Sequence, residues 1–465
     1  MNPNKPDSKN SQTISRDDLV AWIEAGCKPK KDWRVGTEHE KFGFCRSDLT
    51  PIPYAGEFGV KKVLLGMAEA FAWQPVEENG EVIALKKGLA GVTLEPGGQL
   101  ELSGAPLETI HQTQNEINQH LDQLGHVCKQ LNITFLGIGA QPKWEFDKIP
   151  WMPKGRYNVM RRYLPAKGRY SLDMMARTST VQANLDFSSE KDMAEKFRLL
   201  MALQPMATAL FANSPFIDGK PNGFQSFRAE IWRYTDPDRC GLLPFVFEDS
   251  FGFERYVDYA LDVPMLFRYQ NGQYKDGEGA TFREFMAGCL PDQPGLFPTI
   301  SDWEIHLSTL FPDVRLKQYL EARGADAGNS HSICSLPALW KGLLYDSDSR
   351  QASWELVSDW SIAERAEIIK DVPRLGLRTK IPGGKTLQDL TLEVLKWSQA
   401  GLAAHDCRNG EGCNETIYLK SLFETAKSGI SPADRLLKAY HSSWNGSVDP
   451  VFKEEEFESF FAKCK

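Results

Sequence analysis

The sequence predicts an α+β fold, in which strands and helices interleave through the first half and helices cover the rest. Three observations carry this reading. Short segments alternate polar and apolar residues at a period of two, longer ones repeat apolar residues at threes and fours, and helical patterns dominate from Leu336 onward.

The elements follow in order. A first helix starts at Ser15, whose hydroxyl can cap the turn with Asp18 three residues on, and Leu19, Trp22 and Ile23 form its apolar stripe. Segment 34–42 alternates as a strand, and segment 92–103 does so on either side of a Pro-Gly-Gly turn. Residues 107–131 repeat Leu107, Ile110, Ile117, Leu121, Leu124, Cys128 and Leu131 at helical spacing, and 133–140 reads as a buried strand. Segment 180–187 is a strand, 189–212 a helix with a kink expected at Pro205, and 228–234 a strand. Residues 245–295 are rich in aromatics, Gly and Pro and read as irregular. The later helices break at Pro382-Gly383-Gly384 and around 407–413.

Composition bounds the function. The 465 residues are 42% hydrophobic and 25% charged, ordinary for a globular chain with a sizeable core. A net charge of −8 lacks the basic footprint of a nucleic-acid binder. The longest apolar run, 199–212, is interrupted by Gln204 and Pro205 and is too short to span a bilayer, so no membrane role is expected. Residues 1–14 read as a polar, disordered tail without a secretory h-region, and residues 15–465 as the catalytic unit. Within that unit a sheet-rich core covers about 33–335 and a helical part 336–465. Nine scattered cysteines without a CxxC read as reduced thiols, and the expected location is cytoplasmic. The sequence around His405, Cys407 and Cys413 matches no zinc spacing.

The chemistry concentrates in the alternating segments. Residues two apart on a strand share a face, which groups Glu38 with Glu40, Gln99 with Glu101, and Gln182 with Asn184 and Asp186. The same reading groups Arg228, Glu230 and Trp232, while the turn could bring Glu95 to the same place. Strands lie about 4.8 Å apart, so adjacent polar faces would merge into one acidic patch. Carboxylates that close resist ionising together, and hard divalent cations with oxygen ligands would resolve the conflict. Arginines flank the patch: Arg228, Arg233 and Arg239, with Lys154, Arg156, Arg161 and Arg162 in 152–162. Gly383-Gly384-Lys385-Thr386 resembles the end of a P-loop but lacks its first glycine, and reads as a turn and helix start.

Six motifs in order, GTEHEKFGF, LEPGGQLELSGAP, MPKGRYNVM, RTSTVQANLDFSSE, EIWRYTDPDRCG and PFVFEDSFGFERYVDYALDVPM, resemble the plant-type glutamate–cysteine ligases. The resemblance runs from about Trp33 to the end of the chain. It implies a glutamine-synthetase-like carboxylate–amine ligase fold, a curved, mainly antiparallel sheet of about six strands forming a funnel wrapped by helices. It also implies ATP-dependent ligation of the glutamate γ-carboxylate to the cysteine amine through a γ-glutamyl phosphate, as the first step of glutathione synthesis. The implied partners are these small molecules and magnesium, about two or three ions, bound by a monomer or homodimer. Carried over, Glu38, Glu40, Glu95, Glu101, Gln182 and Glu230 would be metal ligands. Arg228 and Arg239 would act on the transferring group, with Trp232 and Arg156 also binding substrate. The plant hairpin disulfide cannot form, because Cys289 is the single cysteine within 272–295, with Gly277 and Asp292 near the expected positions. The alternatives are a ligase of the same fold with another amine acceptor, and a non-catalytic nucleotide- or glutamate-binding regulator.

Overall fold

The computed structural model describes residues 13–457, so residues 1–12 of the expected tail, and Cys464, lie outside the described residues. Ser15 caps the first helix, Arg16–Glu24, in a reciprocal box with Asp18. The central element is an open sheet of nine strands, larger than the expected six. They are β1 (Val35–Cys45), β2 (Gln74–Glu78), β3 (Glu81–Lys87), β4 (Ala90–Leu94), β5 (Gln99–Ser103), β6 (Ile133–Leu136), β7 (Thr180–Leu185), β8 (Val314–Leu316) and β9 (Leu320–Asp326). The order is β8-β9-β7-β1-β5-β4-β3-β2, with β6 also pairing β1, and every pairing is antiparallel.

The turn between β4 and β5 requires its glycines. Gly98 has φ +85°, and a Cβ on Gly97 would meet the Ala176 carbonyl oxygen at 2.3 Å. The helix expected over 107–131 spans Ile110–Leu131, because Thr109 and Gln112 cap it and Leu107 instead bridges Val35. Helix Glu190–Leu210 continues through Pro205. The apolar face of the sheet, with Val35, Leu100, Leu102, Val181, Ala183 and Leu185, packs under Ile110–Leu131 and helix Ser330–Leu344. His39 and Lys41 lie on that side too, His39 edge-on to His120 with ring centroids 5.7 Å apart and Lys41 Nζ donating to the Leu100 carbonyl.

Three expectations change. Segment 228–234 is not a strand: Ser226 caps helix Phe227–Arg233, its side chain accepting from the Ala229 amide. Segment 245–295 is not irregular, since it holds helices Phe253–Asp262 and Phe282–Met286 and a hairpin of Phe267–Gln270 with Gln273–Asp276. The strand after the long helix ends at Leu136, and Ala140 only bridges Thr178. At the P-loop look-alike, Thr386 caps helix Leu387–His405 after a short turn, as expected. At the last described residue the chain meets the sheet, with the Phe457 amide donating to the Phe135 carbonyl.

Candidate active site

The register decides which side chains meet. On β1, Glu38 stands opposite Ser103 of β5 and Gln182 of β7, and Glu40 stands opposite Glu101 of β5. Thr93 of β4 faces Glu101, and Glu321 of β9 faces Asn184 of β7. Directly opposed residues point to the same side. One face of four adjacent strands therefore carries Glu38, Glu40, Glu101, Gln182, Asn184 and Glu321. Glu101, Gln182 and Glu321 are buried, and Glu38 and Glu40 half-buried.

Glu38, Glu40 and Glu101 are each held by a neutral donor. Asn184 Nδ2 donates to Glu38 Oε1 at 2.8 Å, the Thr180 amide to Glu40 Oε2 at 3.0 Å, and the Ser103 hydroxyl to Glu101 Oε1 at 2.5 Å. These neutral donors do not balance the charge. Burial, then Glu321 and Glu101, push Glu38 up to about 7. Burial and Glu95 push Glu101 up to about 7, and burial, Glu101 and Glu95 push Glu40 well above the usual carboxylate range. Glu95, in the β4–β5 turn, thus bears on this group as the sequence suggested.

Cationic side chains border the carboxylates. Lys154 donates to the Thr93 hydroxyl, and burial lowers it to about 8 against the pull of Glu95. Arg156 packs its guanidinium over Tyr157 and Phe267, each at 5.8 Å. Arg228 is buried, with Glu40 and Asp326 as charged neighbours, and its Nη2 donates to the Arg323 carbonyl at 2.9 Å. Trp232, one turn on, meets Phe311 edge-on with ring centroids 5.7 Å apart.

Two predicted residues are not brought to this group. Glu230 sits on a helix, where residues two apart point to different sides, and its carboxylate is engaged by Arg233 at 2.6 Å and Arg169 at 3.5 Å. Arg239 is fully buried, paired with Asp236 at 2.6 Å and donating to the Thr309 and Pro264 carbonyls, which makes it a strut. Sequence reasoning missed Glu321, Arg315, Lys317, Arg323 and Asp313 of the β8–β9 edge. Their signal was present: Arg315 with Lys317, and Glu321 with Arg323, repeat the spacing of two. The half-buried Cys407 lies near Lys341, at 3.9 Å, and Cys413 is exposed in a loop closed by an Arg408–Asn414 bridge.

Comparison with known proteins bears on the family and the fold. The model of glutamate–cysteine ligase family 2 matches residues 34–454. Glutamate–cysteine ligase B of Oryza sativa subsp. japonica is 53% identical over 444 residues, 96% of this chain and 88% of the relative. The Arabidopsis thaliana glutamate–cysteine ligase is also 53% identical, over 96% of this chain and 83% of its own. Both relatives are chloroplastic, which overturns the cytoplasmic location expected from the sequence. A glutamate–cysteine ligase from Francisella tularensis, solved with AMP, aligns with a TM-score of 0.51 at 12% identity, over 88% of this chain and 85% of that one. The fold is therefore the carboxylate–amine ligase fold that the resemblance implied. With its family model covering nearly the whole chain and relatives sharing half its residues, this chain belongs to glutamate–cysteine ligase family 2.

Proposed function

We propose that the polar face of the sheet is where this chain joins the γ-carboxylate of glutamate to the amine of cysteine, consuming ATP and giving γ-glutamylcysteine, ADP and phosphate. As a family member the chain is a ligase, and this reaction is the first step of glutathione biosynthesis.

The chemistry requires activation. A carboxylate is a poor acyl donor, and transfer of the ATP γ-phosphoryl group to it creates a mixed anhydride with phosphate as leaving group. The cysteine amine then attacks the acyl carbon and phosphate departs. Catalysis of such a transfer is mainly positioning and charge neutralisation.

The donor set suits magnesium: Glu38, Glu40, Glu95, Glu101 and Gln182 offer oxygen ligands, and among the described residues the carboxylates that burial and repulsion push up have no cationic partner at hydrogen-bond distance. Among the described residues no three His, Cys, Asp or Glu side chains stand close enough to hold an ion as they lie, and Glu38, Glu40 and Glu101 accept from Asn184, Thr180 and Ser103. The chemistry of the donors fits, and these five residues would hold the metal. When bound, magnesium would neutralise charge on the triphosphate. Arg228, beside Glu40, orients the anionic group being transferred, and Lys154, beside Glu95 and Glu101, holds positive charge at the other border. Glu230 and Arg239 have no part in this reading.

The observation that carries it is Glu40 facing Glu101 across a strand pair, with Glu38 two residue pairs along on the same face. A coupled ADP-release assay tests it. Turnover should require glutamate, cysteine and magnesium together, and equal turnover without cysteine would refute the ligation.

A further inference from the structure

Beside the carboxylates lies a cavity of about 50 Å³, walled by Asp313, Arg228, Trp232, Arg323, Phe311 and Ile369. A single water needs roughly 10–15 Å³ on the same measure, so the space is on the scale of a small molecule. Two of its walls are shared with the polar face. Arg228 has Glu40 as a charged neighbour, and Arg323 Nη1 donates to Gln182 Oε1 at 2.7 Å.

Three polar groups of this cavity are unmatched among the described residues. Arg228 Nε and Trp232 Nε1 are buried donors with no acceptor. The Asp313 carboxylate has no hydrogen bond or ion pair among the described residues, although its backbone is bonded to Gly241 and Arg323. Burial pushes that carboxyl up to about 6 despite the pull of Arg228 and Arg323. By contrast Arg233, on the same wall, is already satisfied by Glu230. Two donors and one acid, all unsatisfied, next to apolar walls, complement a zwitterion with a small uncharged side chain.

We propose that this cavity receives the acceptor amino acid, with its ammonium against Asp313, its carboxylate on Arg228 Nε and Trp232 Nε1, and its side chain against Phe311 and Ile369. Asp313 and Ile369 are then specificity determinants. Glutamate fits less well, since its second carboxylate would meet the apolar wall. The assignment rests on the ligase reading above, of which it specifies the acceptor subsite.

Steady-state kinetics with cysteine and glutamate varied separately test it in Asp313→Asn and Ile369→Trp. The Asp313 side chain makes no internal bond, so Asp313→Asn should fold. Ile369→Trp, which fills the cavity without replacing a charged residue, is the independent second variant. Both should raise the KM for cysteine by about tenfold or more while the KM for glutamate stays within about twofold. An unchanged cysteine KM in both variants overturns the assignment, as does a rise in the glutamate KM in its place. Wild-type protein that releases no phosphate with glutamate, cysteine, ATP and magnesium would remove the ligase reading, and the subsite with it.

Discussion

Glu101 and Glu321 point to the same side of the same sheet, yet their surroundings drive them in opposite directions. Glu101 faces Glu40, has Glu95 nearby, and is pushed up to about 7 by burial and by those charges. Glu321 is buried even more fully, but Arg315 at 2.7 Å, Arg323 at 2.6 Å and Lys317 at 3.8 Å outweigh the burial and hold it well below the usual carboxylate range. The pair separates two uses of buried charge. Matched charge on the β8–β9 edge is a frame that needs nothing from outside. Unmatched charge on β1 and β5 costs stability unless a cation arrives, and that is the signature of a binding site.

Breaking the unmatched side gives the largest expected effect. Glu40→Gln should lower ATP turnover by about a thousandfold, with a melting temperature equal to or above that of the wild type, because a repelled carboxylate is removed. Glu230→Gln, whose parent is tied to Arg233 and Arg169 away from this group, should lose far less. Comparable losses in the two variants would erase the distinction drawn here.

Breaking the matched side should act on stability instead. Glu321→Gln strands Arg315 and Arg323 in the interior, and loss of one partner of a buried pair costs about 3–5 kcal/mol. Urea denaturation measures this, and a midpoint equal to the wild type would mean that the frame carries no load.

The smallest effect is a pH dependence that sharpens the contrast. Glu38 and Glu101 rise from an ordinary 4.5 to about 7 in the folded chain, so the folded state holds protons that the unfolded state releases. The stability from these sites is fully present below about pH 4.5 and is lost as pH rises through about 7. Metal-free protein should therefore melt at progressively lower temperature across that interval, and magnesium should reduce the decline. A metal-free melting temperature that rises across the same interval would contradict the crowding.

Much of the site was legible because a period of two is a local property. Glu38 with Glu40, and Gln99 with Glu101, could be placed on one face of their strands from spacing alone, and the Pro-Gly-Gly turn marked the reversal that brings Glu95 close. Arg228, Glu230 and Trp232 misled the reading for the same reason. Over seven residues an alternation fits a strand or a helix, and the Ser226 cap, just outside the segment considered, settles the matter for helix. The β8–β9 cluster carries the same spacing, but its basic and acidic residues look like a solvated surface until the strands pair.

By itself the sequence determined the elements, their polar and apolar sides, and the oxygen-rich character of the site, because these depend on neighbours a few residues apart. Only the tertiary structure decided which charges meet. Glu40 faces Glu101, Arg315 and Arg323 clamp Glu321, Arg239 is spent on Asp236, and the Asp313 carboxylate has no partner among the described residues. Electrostatic energy depends on distance through space and on burial, and both are set by strand register and by the packing of segments far apart in the chain.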